Sequence, residues 1–318
     1  MRRYAIVFAV VALILSANIS VQSQTPKAAL DLFENAAKKV DRGDLDGAIE
    51  DYSRAIVISS SLAAQKKSKS FSTSFTTASS DSSEDITVLD PFTANAYTNR
   101  GLVRYQKGDY FGAIADHDQA IRLRPGLAPA YLNRAAARRS NGDLNGALED
   151  LNRAIKIKND FFEAYNNRGC LKHDLGDDKG ALVDLDRALQ LNKKVAETYY
   201  QRGYVVMALK DLDSAVRDFT RAIQLNPKLA WAYQGRGTAL MNKSDMVPAI
   251  ADFSEAVKLE PELAWGYFNR GLALVYLGDE EKAQKDFDEC LRLRPELKVE
   301  LMPRIELARQ LYRLNAKK

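Results

Sequence analysis

Histidine, cysteine and tryptophan each occur only twice in 318 residues, and the charges nearly cancel, with 46 Lys and Arg against 42 Asp and Glu. Two histidines, His117 and His173, are too few for a histidine-based metal cluster. A formal net charge of +4, half of it from Arg2 and Arg3, is too near neutral for the basic surface that nucleic acid requires. The chain also has no phosphate-cradling glycine motif and no Gly-x-Ser-x-Gly elbow. These absences predict no catalytic residues, no metal site and no cofactor, and they leave binding of a protein or peptide as the class of function to expect.

Long apolar runs are scarce as well. Ala5–Leu15 is an 11-residue apolar run placed after Arg2 and Arg3 and before a polar stretch. That three-part layout predicts a signal peptide over residues 1–23, cleaved after Ser23, and hence export to a periplasm or to the exterior. The alternative is an uncleaved segment that associates with a membrane, although the run is shorter than the ~20 residues of a full span.

What the chain has in quantity is repetition. "AYTNRG" at Ala96 returns as "AYLNRA", "AYNNRG", "TYYQRG", "AYQGRG" and "GYFNRG", each 34 residues after the last. A second motif, "GDLDGAIEDYSRAI" at Gly43, has counterparts beginning at residues 108, 142, 176, 210, 244 and 278. Together they define seven repeats beginning at residues 29, 94, 128, 162, 196, 230 and 264, and positions are counted from those starts. In the fifth, Leu212, Val216, Phe219 and Ile223 fall at i, i+4, i+7 and i+11, and Tyr199, Gly203 and Val206 at i, i+4 and i+7, so both halves are amphipathic helices. Glycine at position 15 of five repeats ends the first helix in the left-handed region, and the aspartate that follows in all seven caps the second. Alanine at position 20, and Gly or Ala at position 8, allow close stacking of helical hairpins.

This pattern resembles the tetratricopeptide repeats: a 34-residue period, an aromatic at position 4 of six repeats (Tyr97 to Tyr267), small residues at 8, 20 and 27, and Pro125, Pro227, Pro261 and Pro295 at position 32. The resemblance implies an all-α, right-handed solenoid of seven hairpins. Repeat one covers residues 29–61, a Ser/Thr-rich insertion expected to be flexible covers 62–93, repeats two to seven cover 94–297, and a polar-backed closing helix covers 298–318. In such an elongated array Cys170 and Cys290 lie beyond disulfide reach.

Position 23 is aspartate in every repeat, and position 7 is arginine in all but the first, which has Asn35. Pairing across repeats predicts a ladder: Asp51 with Arg100, Asp116 with Arg134, Asp150 with Arg168, Asp184 with Arg202, Asp218 with Arg236, Asp252 with Arg270, and Asp286 with Arg304 of the closing helix. This offset uses every charge, because the one repeat without an arginine has no predecessor.

In the family, first helices line the concave surface through positions 2, 5, 6, 9 and 12. The resemblance therefore implies a peptide-binding groove with a polar stretch at Asn99, Asn133, Asn166 and Asn167 and an aromatic stretch at Tyr200, Tyr204, Trp231, Trp265 and Phe268, with Asn269 among them. The asparagines would hold a peptide backbone and the aromatics its apolar side chains. The other readings are hairpin packing for the aromatics and surface hydrogen bonding for the asparagines. The expected function is a non-catalytic scaffold for an extended peptide or protein segment; an accessory subunit of an enzyme or secretion complex, and a self-assembling homo-oligomer, are the alternatives.

Overall fold

The computed structural model describes residues 25–74 and 91–315; the expected signal peptide lies outside the described residues. Every element among them is helical: α1 (Lys27–Asp41), α2 (Leu45–Ser74), α3 (Pro91–Gln106), α4 (Tyr110–Leu123), α5 (Ala128–Ser140), α6 (Leu144–Ile157), α7 (Phe162–Asp174), α8 (Asp178–Leu191), α9 (Ala196–Ala208), α10 (Leu212–Leu225), α11 (Ala230–Asn242), α12 (Met246–Leu259), α13 (Ala264–Tyr276), α14 (Glu280–Leu293), a 3₁₀ turn (Pro295–Leu297) and α15 (Lys298–Asn315). Odd-numbered helices up to α13 are the first (A) helices of the repeats, and even-numbered ones are the second (B) helices. The fold is an all-α solenoid of helical hairpins.

The hairpin turn forms as the sequence predicts. Gly43, Gly108, Gly142, Gly176 and Gly278 adopt positive φ, and where glycine is absent Lys210 and Ser244 take the same conformation at φ 68°. Six of the aspartates that follow accept the backbone N–H three residues on, as Asp143 Oδ1 does from Gly146 N at 2.9 Å. Asp245 caps nothing, because the residue three places on is Pro248, which has no N–H to donate.

One boundary differs from expectation. The insertion was expected to begin at residue 62, but α2 continues without a break to Ser74, and α3 already starts at Pro91. Leu62-Ala-Ala-Gln-Lys-Lys is made of strong helix formers with no glycine or proline, so nothing stops the helix where the repeat ends.

The chain divides into two compact units, residues 1–168 and 169–318, with the division inside α7. In the first, Phe33 of α1 packs edge-on against Tyr52 of α2 at 5.2 Å and against Phe92 at 5.4 Å. Phe92, together with the Ser59 Oγ to Thr93 Oγ1 hydrogen bond of 2.7 Å, ties α3 to repeat one across the insertion. In the second, Phe219, Phe253 and Phe287 form the core at position 24, fully or almost fully buried.

The closing helix has a mixed back, with Glu300, Glu306, Gln310 and Arg313 exposed beside apolar residues. Its inner face, Leu301, Ile305 and Ala308, covers repeat seven as expected, but Val299, Met302, Leu307, Leu311 and Leu314 are exposed on the outside.

Candidate functional site

The arginine at position 7 pairs with the aspartate of its own repeat, so the predicted offset is wrong. Arg100, Arg134, Arg202, Arg236 and Arg270 each make two parallel bonds, Nε to Oδ2 at 2.8–2.9 Å and Nη2 to Oδ1 at 2.5–2.7 Å, with Asp116, Asp150, Asp218, Asp252 and Asp286. The sixteen-residue separation places the two side chains opposite each other across one hairpin, within reach of the planar guanidinium fork. Each of these arginines also lies over the tyrosine at position 4, Arg100 over Tyr97 at 5.2 Å for example, which accounts for the aromatic there.

Charges at the array ends find partners other than those the offset implied. Asp51, whose repeat has Asn35 at position 7, pairs with Lys39 at 2.7 Å. Lys39 occupies position 11, which is basic in the first four repeats: Arg104 and Arg138 add a second cation to Asp116 and Asp150 at 3.0 Å, and Lys172 reaches Asp184 at 2.8 Å. Asp286 is satisfied by Arg270, which frees Arg304 to stack on Phe268 at 4.7 Å and Trp265 at 5.9 Å.

A cross-repeat bond does exist, to a different partner. The third arm of the arginine, Nη1, reaches position 25 of the preceding repeat: Ser53 from Arg100, Asp118 from Arg134, Asn152 from Arg168, Asp186 from Arg202, Thr220 from Arg236 and Ser254 from Arg270, at 2.5–3.2 Å. Position 25 is polar in every repeat, and that was the available signal. Arg202 is held above the usual arginine range by its hydrogen bond to Asp218, so the guanidinium stays charged while three-quarters covered.

The expected binding residues divide into two groups. Asn99, Asn133, Asn166, Asn167, Tyr200, Phe268 and Asn269 are buried, none more than 8% exposed, so they do not face outward as the resemblance implied. Position 6 instead points into the joint with the preceding repeat. Asn99 lies beside Tyr52 at position 24 of repeat one. At the same place in repeat six, a Cβ on Gly235 would come within 2.5 Å of Phe219 Cε1, whose ring also leaves no room for a Cβ on Gly203. Gly235→Ala is therefore expected to lower stability by about 1–3 kcal/mol through overpacking, read from its urea midpoint; a midpoint equal to the parent's would show that the Phe219 ring can yield.

Tyr204, Trp231 and Trp265 remain half-buried, joined by Met207 and Met241. Positions 2, 9 and 12 share one helix face, and α9, α11 and α13 lie against one another. Tyr204 is braced from below by Tyr200 at 5.1 Å and Phe219 at 5.2 Å, both edge-on. The second compact unit thus carries a supported patch of aromatic and thioether side chains, part of it still open to solvent.

Models described as TPR repeat or tetratricopeptide repeat match residues 137–176, 163–198, 196–229 and 264–297, the last two coinciding with repeats five and seven as counted from the sequence. The chain belongs to the tetratricopeptide-repeat family. Among solved structures it is similar to a tetratricopeptide repeat protein from Parabacteroides merdae, at 21% identity and a TM-score of 0.61, over 90% of this chain and 99% of that one. It is also similar to PilF of Pseudomonas aeruginosa, at 19% identity and 0.59, over 71% and 97%. A third likeness is to the Cut9-Hcn1 hetero-tetramer of the APC/C, at 18% and 0.60, over 67% and 42%. No curated protein matches the sequence. Membership of the family makes the chain a protein-interaction scaffold whose partners are proteins or peptides.

Proposed function

We propose that the scaffold binds an extended peptide segment carrying apolar side chains across the A helices of repeats five and six. The observation behind this reading is the patch of Tyr204, Met207, Trp231 and Met241, which the fold supports from beneath and leaves partly uncovered. Aromatic and methionine side chains offer large adaptable contact area, and apolar peptide side chains are their complement. The asparagine row acts inside the repeat joints in this reading, and the ligand does not touch it. Arg304 covers one flank of Trp265, so the bound segment lies toward Trp231. The N-terminal layout of Arg2, Arg3 and Ala5–Leu15 supports a partner met outside the cytoplasm.

Both tryptophans of the chain lie at this patch, so emission excited selectively from tryptophan, apart from the 14 tyrosines, reports on it. Titration with extended peptides that alternate Leu or Phe with Ser is expected to shift that emission. Replacing Tyr204, Met207 and Met241 together by serine is expected to weaken binding at least about tenfold, since central contacts of this kind carry more than about 1 kcal/mol each. Unchanged affinity in a variant with unchanged circular dichroism would place the ligand elsewhere.

A further inference from the structure

The closing helix α15 buries one apolar face and exposes another. Val299 is 88% exposed, Leu314 61%, Leu307 55% and Leu311 39%. At 100° per residue these four fall within about 120° of arc, opposite the buried Leu301, Ile305 and Ala308, with Met302 at the edge; the exposed Glu300, Pro303 and Gln310 share that arc, and Leu307, Leu311 and Leu314 are its apolar centre. Phe111, Val183 and Val247 are exposed too, but each stands alone on a B helix, as is ordinary for a soluble surface. An exposed stripe running four turns along a terminal helix is not ordinary, and it needs a cover.

The charges beside the stripe indicate which cover fits. Arg309 is committed to Glu280 and Gln284 of α14, and Arg304 to the rings of Trp265 and Phe268. Glu306 and Arg313 make no ion pair among the described residues. They are seven residues apart and so lie on one line along the helix, at the same edge of the stripe and with opposite sign.

We propose that the outer face of α15 is the interface of a two-fold homodimer in which the closing helices of two copies pack antiparallel. An antiparallel copy that brings its Arg313 to Glu306 and its Glu306 to Arg313 satisfies both charges twice, overlaps the two helices over residues 304–315, and covers Leu307, Leu311 and Leu314, with Val299 beyond the overlap. A single pair of helices buries less than the ~1,200 Å² of a standard interface, which sets this dimer in the weak, micromolar class. It shares no residue with the peptide patch on α9 and α11.

The test is sedimentation of the full chain over a concentration series. A reversible monomer–dimer equilibrium is expected, and Leu307→Asp with Leu311→Asp should weaken it by about 100-fold or more, each change placing a charge in an apolar seam. Glu306→Arg alone and Arg313→Glu alone are each expected to weaken it about tenfold, and the two together to return it to within about threefold of the parent. These side chains are exposed, and far-UV circular dichroism should be the same in all variants. A parent that stays monomeric at about 100 μM, well above a micromolar constant, overturns the proposal. So does a dimer indifferent to the leucine changes, or a charge exchange that fails to restore association.

Discussion

Between pH 7 and pH 5 the parent protein is expected to lose about 2 kcal/mol of stability that the variant His117→Leu keeps. His117 sits at position 24 of repeat two, where other repeats carry Tyr52, Leu151, Leu185, Phe219, Phe253 or Phe287. It is fully buried, and neither ring nitrogen has a hydrogen-bond partner. Burial, aided by the nearby charge of Arg134, pushes its pKa down from 6.5 to about 3. Below pH 6.5 the unfolded chain therefore takes up a proton that the folded chain refuses until about pH 3. The unfolded state binds more protons throughout that window, so folding stability falls as pH falls. Carboxylates titrate alike in both proteins and cancel in the difference. At pH 7 the leucine variant is expected to be at least as stable as the parent, by up to about 1 kcal/mol, because it removes unpartnered polar atoms and because leucine fills the same place in repeats three and four. Urea midpoints of the two proteins at pH 7, 6 and 5 check this; curves that stay parallel would mean that His117 finds a partner for its proton.

The hairpins and their caps were legible because each rests on a residue type repeated at fixed spacing. Gly43 to Gly278 and Asp44 to Asp279 mark the turn, and the structure uses them as marked, with Pro248 the local reason for the one missing cap. The pairing of Arg100 to Arg270 was legible in composition and not in connectivity. Seven aspartates and seven arginines fit an offset ladder arithmetically, but arithmetic does not know that Lys39 and its counterparts at position 11 also reach position 23. Distance decides it: residues sixteen apart in one hairpin face each other, and the guanidinium has a third arm left for the preceding repeat. The groove was less legible. Positions 5 and 6 sit between the outer face and the interior of an A helix, and a shift of one residue is 100°, enough to turn Asn133 from solvent into the joint beside position 24. Position 25, polar in all seven repeats, carried the signal of the bond between repeats.

Asp218→Ala is expected to lower stability by about 3 kcal/mol, since it strands a largely covered guanidinium. Repeat five is the place to measure this, because position 11 there is Val206 and no second cation is present to confuse the result. Arg202 would lose both parallel bonds, at 2.8 and 2.6 Å, and keep as a hydrogen-bond partner only Asp186, whose side chain is 45% exposed and correspondingly weak, beside its stacking on Tyr199. The same change in repeat three, Asp150→Ala, strands Arg134 and Arg138 together and is expected to be the more damaging of the two. The paired replacement Arg202→Met with Asp218→Leu separates net worth from stranded charge. Buried ion pairs roughly break even against apolar packing of similar volume, so this double variant is expected within about 1 kcal/mol of the parent. What it should lose is register: without the guanidinium no side chain of that hairpin holds Asp186 of the one before, and the slope of the urea transition, which reports how much of the chain unfolds together, should decrease. A double variant as unstable as Asp218→Ala, or one that keeps both midpoint and slope, would show that the arginine does not work as a three-armed tie between repeats.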